Sequence, residues 1–540
     1  MDGQATAPAR RRARATPKGR QVDPAVLDAV IRRIGDGPHP RDRLLDHLHA
    51  LNDAHGGLRH AHLVALAHAM RLSMVEVFEV ASFYAHFEIL TDEAPDPPPV
   101  TIRVCDGIAC MLAGGDALRA DLAARHGPDV RVVAAPCMGG CDRAPVAVTV
   151  GRAERTDPAV GFDAYRAGGG YRLLADCLDG RTPVEAVVGT LKASGLRGMG
   201  GAGFPTGTKW DLVAREAGPR LMAVNADEGE PGTFKDRWFL ETDPHRFVEG
   251  MLIGAWAVGA EAVHVYLRDE YPDARAILSR AFEAVRAAGL APHVAIRLRR
   301  GAGAYICGEE SAMLESIEGR RPLPRNKPPY PSEAGLFGRP TLINNVETLW
   351  WVRDIVERGA DWWAGQGRRG RKGLRSFSVS GRVRSPGVKV APAGITAREL
   401  IDEHCGGMAE GHAFRAYLPG GASGGILPAS LADLPLDFGT LEPHGSFIGS
   451  AAVVVLSDRD DLRAVARNLV RFFADESCGQ CTPCRVGTEK AEHLLAADRW
   501  DRGRLDDLTA VMVDASICGL GQAAMNPVRS LWRHFPEDVP

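Results

Sequence analysis

The sequence predicts a multidomain protein of the α/β and α+β classes, and three observations support this prediction. The 540 residues are enough for about three to five domains of ordinary size. Runs of β-forming residues alternate with helical patterns in the central parts of the chain, while its first and last parts show helical periodicity. Most of the 11 cysteines fall into two quartets, each within one part of the chain, so two of the predicted domains carry a cysteine-based site.

The composition excludes several classes of partner. Apolar residues make up 45% and charged residues 25% of the chain, as in an ordinary globular protein. The formal net charge of −3 gives no electrostatic basis for binding nucleic acid or an anionic membrane. The longest stretch of apolar residues and glycine, about ten residues over Met251–Ala260, is shorter than the roughly 20 residues that span a bilayer. Because no apolar signal region is visible, we expect a cytoplasmic protein whose cysteines serve metal or redox chemistry.

The chain begins with an arm, a helical domain and a small α/β domain. Residues 1–22 are rich in Ala, Pro and Arg, so they predict a disordered basic arm, which is either a solvated tail or a contact for an acidic partner. Leucines at helical spacing predict a helical domain over residues 23–98. Residues 99–152 change to a period of two and predict strands and a helix, with Cys105 and Cys137 following strands. Thiolates at such strand ends meet on one rim, which suits a shared metal site.

The rest of the chain divides into four segments. Residues 153–178 contain three consecutive glycines, Gly168–Gly170, and predict a linker. Residues 179–370 alternate β-runs with helical patterns and predict the main α/β domain. Residues 371–458 combine short β-runs with many turns and predict a small β-rich domain, and residues 459–540 predict a helical domain around the second cysteine quartet.

The second quartet is the most specific local signal in the sequence. Cys478, Cys481 and Cys484 follow one another at intervals of three residues, and Cys518 is available as a fourth ligand. Three thiolates on one compact turn can bind three corners of a cubane, and four thiolates are the usual ligand set of a [4Fe–4S] cluster. A structural zinc site is the alternative, but such sites normally use two C-x-x-C pairs rather than a triplet.

The first quartet consists of two pairs on two loops, Cys105 with Cys110 and Cys137 with Cys141. Two thiolates for each of two irons match a [2Fe–2S] cluster. Four thiolates also suit zinc, and the spacing alone leaves that alternative open. The three remaining cysteines stand alone and are expected to be small buried residues rather than nucleophiles: Cys177, Cys307 and Cys405.

A glycine-rich segment, Gly198–Gly203, formally matches the dinucleotide-binding pattern G-x-G-x-x-G. Its context argues against a Rossmann fingerprint, because no apolar strand precedes it and Phe204-Pro205 follows where a helix would have to begin. A turn built from glycine still lets backbone N–H groups approach a phosphate or a flat ring, and Lys209 is near enough in sequence to neutralise a phosphate. The alternative is a plain flexible loop.

Amide and carboxylate side chains follow a predicted strand, Leu221–Val224, and are candidates for a ligand site. Asn225 can both donate and accept at the edge of a heteroaromatic ring, and the acids after it lie where α/β proteins bind ligands. The alternative is a turn with helix-capping acids. Two further segments carry weaker signals of the same kind: the glycine-rich Gly301–Glu310 and the adjacent amides Asn344 and Asn345.

Together these segments make the chain similar to a fusion of two NADH dehydrogenase subunits. Residues from about 23 to 150 resemble the 24-kDa-type subunit, through Ala81–Phe87 and the pattern of the first quartet. Residues from about 170 to 530 resemble the 51-kDa-type flavoprotein subunit, through the cysteine triplet and the motifs Leu196–Gly207, Asn225–Gly232, Ile306–Glu310 and Ile343–Thr348. The resemblance therefore covers nearly the whole chain.

The resemblance implies a thioredoxin-like [2Fe–2S] domain, an FMN- and NAD(H)-binding α/β domain, a β-grasp-like domain and a helical [4Fe–4S] domain. No catalytic side chain is implied, because the flavin itself exchanges the hydride with the nicotinamide. The residues implied for FMN are Gly198, Gly200, Gly201, Lys209, Asn225, Asp227, Glu228, Gly308, Glu309, Asn344, Asn345 and Thr348. Those implied for the nicotinamide nucleotide are Phe204, Glu230, Glu310, Lys327 and Tyr330. The chain departs from the family at Met199, where Arg is common, and at Leu212, where an aromatic residue is frequent.

The resemblance also implies a partner, which the motifs do not specify. Fusion of the two modules is familiar in β subunits of NAD-dependent formate dehydrogenases and in diaphorase subunits of NAD-reducing hydrogenases, and it is unusual in respiratory complex I. Tyr266–Pro272, Pro419–Pro428 and Phe438–Leu441 look most like the bacterial formate dehydrogenase β subunit. That implies an α subunit with a molybdenum or tungsten pterin and further Fe–S clusters, which feeds electrons reversibly through [4Fe–4S] and FMN to NAD⁺. A hydrogenase diaphorase, a complex I subunit and a zinc-stabilised scaffold remain as alternatives.

Overall fold

The computed structural model describes residues 19–150 and 153–539. Of the predicted basic arm only residues 19–22 are described, and Arg20 there forms an ion pair with Asp92 at 2.7 Å. The prediction of disorder for residues 1–18 lies outside the described residues. No helix in the described part of the chain is both long enough and apolar enough to cross a membrane.

The helical domain begins at Pro24, where Asp23 caps the first helix by accepting a hydrogen bond from the Ala25 N–H at 2.8 Å. Its fourth helix starts with a capping box, in which Ser73 and Glu76 exchange hydrogen bonds. Leucines on the inner helix faces are buried, as their spacing predicts. The elements are α1 (Pro24–Ile34), α2 (Leu44–His55), β1 (Leu58–Arg59), α3 (His60–Met70), α4 (Met74–Ala81) and β2 (Ile89–Leu90).

The small α/β domain consists of β3 (Val100–Cys105), α5 (Ile108–Leu112), α6 (Gly115–Arg125), β4 (Val130–Ala135) and β5 (Ala147–Thr149). Its sheet has the order β4-β3-β5, with β3 parallel to β4 and antiparallel to β5. Cys105 ends β3 and pairs with Ala135, which ends β4, so Cys137 lies just beyond the same edge. The predicted meeting of the first quartet on one rim is confirmed.

Residues 153–178 are not a linker, contrary to the sequence-based prediction. They form two short helices, α7 (Phe162–Ala167) and α8 (Arg172–Leu178), whose apolar side chains are buried in the core of the main α/β domain. The Tyr165 hydroxyl and the Tyr171 N–H both donate to Glu249 in that domain, at 2.5 and 2.9 Å. A Cβ on Gly170 would lie 2.1 Å from the Tyr165 ring. The glycines therefore mark a tight turn between packed helices.

The main α/β domain is built on four parallel strands in the order β8-β7-β6-β9. Its elements are α9 (Val184–Ser194), α10 (Thr206–Arg215), β6 (Arg220–Ala226), α11 (Lys235–Thr242), α12 (Pro244–Val258), β7 (Ala260–Leu267), α13 (Pro272–Ala287), β8 (Ala295–Arg300), α14 (Glu310–Ile317), α15 (Pro331–Ala334), β9 (Thr341–Asn345), α16 (Val346–Trp350), α17 (Val352–Arg358) and α18 (Ala360–Ala364). The chain proceeds from β6 through β7 to β8 on one side and later adds β9 on the other side. The strand order therefore reverses between β6 and β9.

The β-rich domain is a mixed five-stranded sheet around an apolar core that includes Phe377, Tyr417 and Val453. Its elements are β10 (Leu374–Gly381), β11 (Gly387–Pro392), α19 (Ala397–Glu399), β12 (Phe414–Leu418), β13 (Leu427–Pro428) and β14 (Ala452–Ser457). The strand order is β11-β10-β14-β12-β13, and only the β10–β14 pairing is parallel among these described strands.

The C-terminal domain is helical, as predicted, and it shares one hydrophobic core with the N-terminal helices and α14. Asp461 starts its first helix by accepting hydrogen bonds from two backbone N–H groups. The Asn468 amide reaches the small α/β domain and donates to the Asp106 carbonyl at 2.9 Å. The elements are α20 (Leu462–Asp475), α21 (Thr482–Leu495), α22 (Arg502–Ala515), α23 (Gly519–Ala523) and α24 (Asn526–His534).

Candidate functional site

The polar candidates follow β6 and β9, the two strands between which the strand order reverses. Their register places Asn225 beside Asn345, near the end of each strand. In open α/β sheets, ligands bind outside the carboxyl ends of the strands at such a switch point. The glycine-rich segment follows α9 rather than a strand, as expected. Phe204 and Pro205 separate it from α10, which begins at Thr206 with Pro205 as its N-cap, so no helix begins within the pattern itself.

The glycine loop, residues Gly198–Gly203, is anchored against this edge of the sheet. The Met199 N–H donates to the Thr348 hydroxyl at 2.9 Å, and a Cβ on Gly200 would lie 3.2 Å from the Cβ of Asn345. These contacts bring the loop against the end of β9 and the start of α16. The loop is thus held in place, and the alternative of a plain flexible loop does not describe it.

Phe438 of the β-rich domain covers the end of the glycine loop. Gly203 has a φ of 67°, and a Cβ on it would lie 2.5 Å from the Phe438 ring. The Arg197 guanidinium lies 4.5 Å from the centre of the same ring and donates to the Gly203 carbonyl at 2.5 Å. Phe438 is not predicted as a site residue from the sequence, because its contact with the loop joins two domains.

Asp227 has the feature that points most directly to a ligand. Asn225 fixes the loop, since its Oδ1 accepts the Asp227 N–H at 3.1 Å and its Nδ2 donates to the Gly308 carbonyl at 2.8 Å. The Oδ2 of Asp227 is enclosed and has no hydrogen-bond partner among the described residues. Burial raises the pKa of this carboxyl well above its usual value. An enclosed polar atom without a partner costs about 1–3 kcal/mol, which a bound ligand would relieve.

Lys209 supplies a positive charge near the start of α10. It is half-buried, and its ammonium donates to the Ile343 carbonyl at 3.3 Å. Burial lowers the pKa of Lys209, while the negative charge of Glu310 opposes that effect. Because burial disfavours an unpaired ammonium, an anionic ligand group beside Lys209 would be stabilised. This position therefore suits a phosphate, as the sequence predicts.

The adjacent amides Asn344 and Asn345 are already engaged inside the protein. The Trp210 indole N–H donates to Asn344 Oδ1 at 2.9 Å. The Asn345 amide donates to Asp236 at 2.6 Å, and its Oδ1 accepts the Glu347 N–H at 3.0 Å. Both residues thus fix the end of β9, and their direct contact with a flavin stays a prediction.

The residues predicted for the nicotinamide nucleotide include an exposed rim beside Lys209. Phe204 and Tyr330 are 45% and 54% exposed. The Lys327 ammonium pairs with Glu310 at 2.5 Å and with Glu309 at 3.3 Å. Glu309 also caps α14 by accepting two backbone N–H groups at 2.9 Å. A dinucleotide could stack its rings on the exposed aromatic side chains and contact the charged pair with its polar groups.

Glu230 is held by two residues that the sequence motifs did not predict as site residues. Its carboxylate accepts the Ser423 N–H at 2.8 Å and the Tyr305 hydroxyl. Burial raises the pKa of Glu230 above its usual value. The Tyr305 N–H donates at 2.7 Å to Glu476, which precedes the cysteine triplet. Tyr305 therefore joins the predicted nucleotide site to the second quartet, and its place in a glycine-rich segment was the only sequence signal for it.

Glu228 makes contacts different from those predicted for a flavin ligand. Its carboxylate accepts the N–H groups of Asp236 and Arg237 at 2.9 and 3.2 Å, at the start of α11. The Tyr271 hydroxyl donates to it at 3.0 Å. Burial raises the pKa of Glu228 to about 8. For this residue the alternative of a helix-capping acid describes the structure.

The first quartet forms one buried group of thiols. Its cysteines are between 1% and 5% exposed, and the sulfurs of Cys137 and Cys141 are 3.5 Å apart. Hydrogen bonds from the Cys105 and Cys141 thiols lower the pKa of Cys137, and the Arg268 guanidinium lowers it further. A stabilised thiolate within an enclosed set of four fits the ligand set of a [2Fe–2S] cluster.

The second quartet gathers at helix starts in the C-terminal domain. Cys481 directly precedes α21, Cys484 lies in its first turn, and Cys518 directly precedes α23. Cys478 and Cys484 are buried, whereas Cys481 and Cys518 are half-buried. Burial raises the pKa of Cys478 and that of Cys484, the latter to about 11, so binding of iron would have to displace the thiol protons. Helix N-termini favour the resulting thiolates, and the arrangement fits a four-cysteine cluster that reaches the surface. Within the described residues, no three His, Cys, Asp or Glu side chains lie close enough together to hold one metal ion. An iron–sulfur cluster does not require such a group, because its cysteines bind separate irons.

The three isolated cysteines are buried, as expected. Cys177, Cys307 and Cys405 are at most 1% exposed. Burial raises the pKa of Cys177 and of Cys405 to about 11. Thiols with such pKa values are poor nucleophiles, so the prediction that they are small core residues is confirmed.

Models of known families match three parts of the chain. A Nuo51 FMN-binding domain matches residues 191–354. A thioredoxin-like [2Fe-2S] ferredoxin matches residues 28–156, and the NADH-ubiquinone oxidoreductase-F iron-sulfur binding region matches residues 464–540. The main α/β domain is thus an FMN-binding domain, and the two quartets lie in a [2Fe–2S] domain and a [4Fe–4S] domain.

Curated relatives and solved structures agree with these matches. The chain is 43% identical to the mitochondrial NADH-ubiquinone oxidoreductase 51 kDa subunit of Neurospora crassa, over 65% of this chain and 76% of that protein. It is 41% identical to NADP-reducing hydrogenase subunit HndC of Solidesulfovibrio fructosivorans, over 70% and 79%. A chain in the crystal structure of a NAD⁺-reducing [NiFe]-hydrogenase in the H₂-reduced state superposes with a TM-score of 0.82 at 34% identity, over 92% of this chain and 93% of that one.

Proposed function

The chain belongs to the 51-kDa-type family of NADH dehydrogenase flavoproteins, and from this premise we propose that it is the diaphorase subunit of a bacterial, cytoplasmic NAD-dependent formate dehydrogenase. In this role it connects an α subunit, which oxidises formate on a molybdenum or tungsten pterin, to NAD⁺. Bound to the second quartet, a [4Fe–4S] cluster would supply electron exchange with that partner, and bound FMN would supply hydride exchange with NAD⁺, in either direction.

The diaphorase function rests on the enclosed Oδ2 of Asp227 at the switch point. A bound ligand would give this atom a partner, and the anchored glycine loop and Lys209 lie at the same edge of the sheet. When bound, FMN supplies hydride exchange with a nicotinamide and single-electron exchange with a cluster. The backbone of the glycine loop and Lys209 would hold the phosphate, while Asn225 and Asp227 would hold the edge of the ring.

The exposed rim beside Lys209 is the proposed binding surface for the nicotinamide nucleotide. Phe204 and Tyr330 offer exposed rings to a nucleotide, and Glu310 with Lys327 offers a charged pair. Glu230, fixed by Ser423 and Tyr305, would orient the nicotinamide. Hydride transfer needs no acid or base from these side chains, so their proposed task is to stack, orient and exclude water.

The difference in exposure between the quartets supports the proposed route. The first quartet is enclosed, whereas Cys481 and Cys518 are half-buried and face solvent in part. Electron transfer to a partner protein needs a cofactor near the surface. The [4Fe–4S] cluster is therefore the proposed point of exchange with the α subunit.

The choice of formate dehydrogenase is supported by three sequence stretches that resemble its β subunit, and all three border the predicted sites. Phe438 covers the glycine loop, Ser423 holds Glu230, and Tyr266–Pro272 packs against the first quartet through Arg268. A NAD-reducing hydrogenase diaphorase is the second candidate. It is favoured by the superposition with one chain of such a hydrogenase over 92% of this chain.

The test is to purify the complex through a tag on this chain. We expect NAD⁺ reduction that depends on formate, together with molybdenum or tungsten, FMN and iron in the preparation. Nickel with hydrogen-dependent NAD⁺ reduction, and no formate activity, would assign the chain to the hydrogenase alternative. A colourless preparation without flavin or iron after anaerobic purification would contradict the diaphorase function itself.

A further inference from the structure

We propose that Arg268 sets the reduction potential of the [2Fe–2S] cluster, because it places a buried positive charge against the loop that carries Cys137 and Cys141. The inference depends on the two-iron cluster and on this chain alone. It therefore holds whether the partner is a formate dehydrogenase or a hydrogenase.

Arg268 follows β7 of the FMN-binding domain and is only 5% exposed. Its guanidinium donates to the Cys137 carbonyl at 2.6 Å and to the Glu228 carbonyl. It also pairs with Glu270 at 2.8 Å. Two of its three partners are neutral carbonyl groups, so Glu270 is the one carboxylate that directly pairs with it among the described residues.

A second arginine and a tyrosine complete the arginine socket, which we define as Arg237, Arg268 and Tyr271. Arg237 donates to the Gly139 carbonyl at 2.9 Å and pairs with Asp142 at 2.7 Å. The socket thus contacts the cysteine loop at three positions between Cys137 and Asp142. Its charged groups come from the FMN-binding domain and are buried or nearly so.

The socket is also attached to the loop that is proposed to line the flavin. Arg268 reaches the Glu228 carbonyl, and the Tyr271 hydroxyl reaches the Glu228 carboxylate. Further along the same loop, Phe234 packs with Cys137 and Cys141 in one buried cluster. One short segment, residues 228–234, therefore touches both the arginine socket and the first quartet.

The electrostatic consequence has a definite sign. Adding one electron makes a cluster with four thiolate ligands more negative, and a nearby buried cation stabilises that charge. Net charge, hydrogen bonding and burial are the means by which a protein tunes such a cluster. Arg268 should therefore raise the reduction potential, and Glu270, which partly neutralises Arg268, should lower it.

The experiment is a potentiometric titration of the [2Fe–2S] electron paramagnetic resonance signal in the purified full chain. Removing the charge in Arg268→Gln should lower the midpoint by at least the equivalent of a tenfold change in the reduction equilibrium, which is 59 mV for one electron. Arg268→Lys, which keeps the charge, should shift the midpoint by less than half as much. Glu270→Gln should shift it in the opposite, positive direction.

Arg299→Gln is the matched control. Arg299 is a buried arginine of the same domain, 6% exposed, but it pairs with Asp42 and Asp46 of the N-terminal helices. The reduction midpoint of the [2Fe–2S] cluster in Arg299→Gln should equal that of the unaltered chain. The proposal is overturned when Arg268→Gln retains its iron and its midpoint equals the control, or when Arg268→Lys shifts as far as Arg268→Gln.

A variant that fails to assemble the cluster does not end the test. When Arg268→Gln contains no [2Fe–2S] signal, Glu270→Gln decides the matter, because it removes only a negative charge and keeps the shape of the side chain. A positive shift in that variant supports the proposal. No shift, or a negative shift, overturns it.

Discussion

At the scale of single residues, Thr348 connects the scaffold to the glycine loop. It is fully buried, and its hydroxyl accepts the Met199 N–H at 2.9 Å. Thr348→Val has nearly the same shape but leaves that N–H without a partner, which costs about 1–3 kcal/mol. We expect the FMN dissociation constant to rise roughly tenfold to a hundredfold, as measured by flavin fluorescence.

The control for that prediction is Thr509→Val in α22. The Thr509 hydroxyl donates at 2.7 Å to Leu505, a carbonyl within the same helix, so its loss leaves no loop N–H unpaired. Its FMN affinity should match that of the unaltered chain. Equal FMN affinities in the two variants would show that the Thr348 hydrogen bond does not hold the glycine loop for the flavin.

Residues next to each other in the sequence show where prediction from sequence stops. The pattern after β6 selects Asp227 and Glu228 equally, and both were predicted to contact FMN. The structure leaves Asp227 Oδ2 enclosed at the switch point, whereas Glu228 caps α11. The distinction depends on where α11 and Tyr271 pack, and such long-range contacts leave no local pattern in the sequence.

At the scale of elements, the turn of the first cysteine loop is fixed by its glycine. Gly139 has a φ of 65°, and a Cβ on it would lie 2.2 Å from the Tyr271 hydroxyl oxygen. Gly139→Ala should therefore push the loop out of the arginine socket. We expect loss of the [2Fe–2S] signal with retention of FMN, measured by iron and flavin content.

Gly127→Ala is the matched change in the same domain. Gly127 lies before β4, has no positive φ, and leaves open space of at least 4 Å around the position that an added Cβ would take. This variant should keep both cofactors. An unchanged [2Fe–2S] signal in Gly139→Ala would mean that the loop adjusts without loss, and that the socket does not require a glycine there.

Elements were predicted best where local signals decide them. The strand at Leu221–Val224 is observed as β6, because its side chains form one continuous apolar run. The prediction of a linker over residues 153–178 was wrong because the two helices there are short and the turn between them consists of glycines. These helices are held by hydrogen bonds from Tyr165 and Tyr171 to Glu249, which lies more than seventy residues further along the chain.

At the scale of the whole molecule, charged and histidine side chains join the N-terminal helices to the FMN-binding domain. Arg299 pairs with Asp42 at 2.6 Å, and the His49 ring bonds the Gly301 carbonyl at 2.8 Å. Burial, together with the nearby charge of Arg300, lowers the pKa of His49 to about 4. Burial likewise lowers the pKa of His264, beside Arg299, to about 3.

These lowered pKa values predict that acid weakens the folded state. Between pH 6.5 and the folded pKa of about 4, the unfolded chain binds a proton at His49 and the folded chain does not. The contribution of neutral His49 to the free energy of unfolding is therefore fully present above pH 6.5. It falls as the pH decreases, by at most about 1.4 kcal/mol per pH unit for each such histidine. His49→Gln keeps a donor for Gly301 but cannot titrate, so its thermal midpoint should fall less between about pH 7 and pH 5 than that of the unaltered chain.

The control is His126→Gln, at an exposed site after α6, which should behave like the unaltered chain. The same acid-induced loss in His49→Gln as in the unaltered chain would assign the effect to other groups.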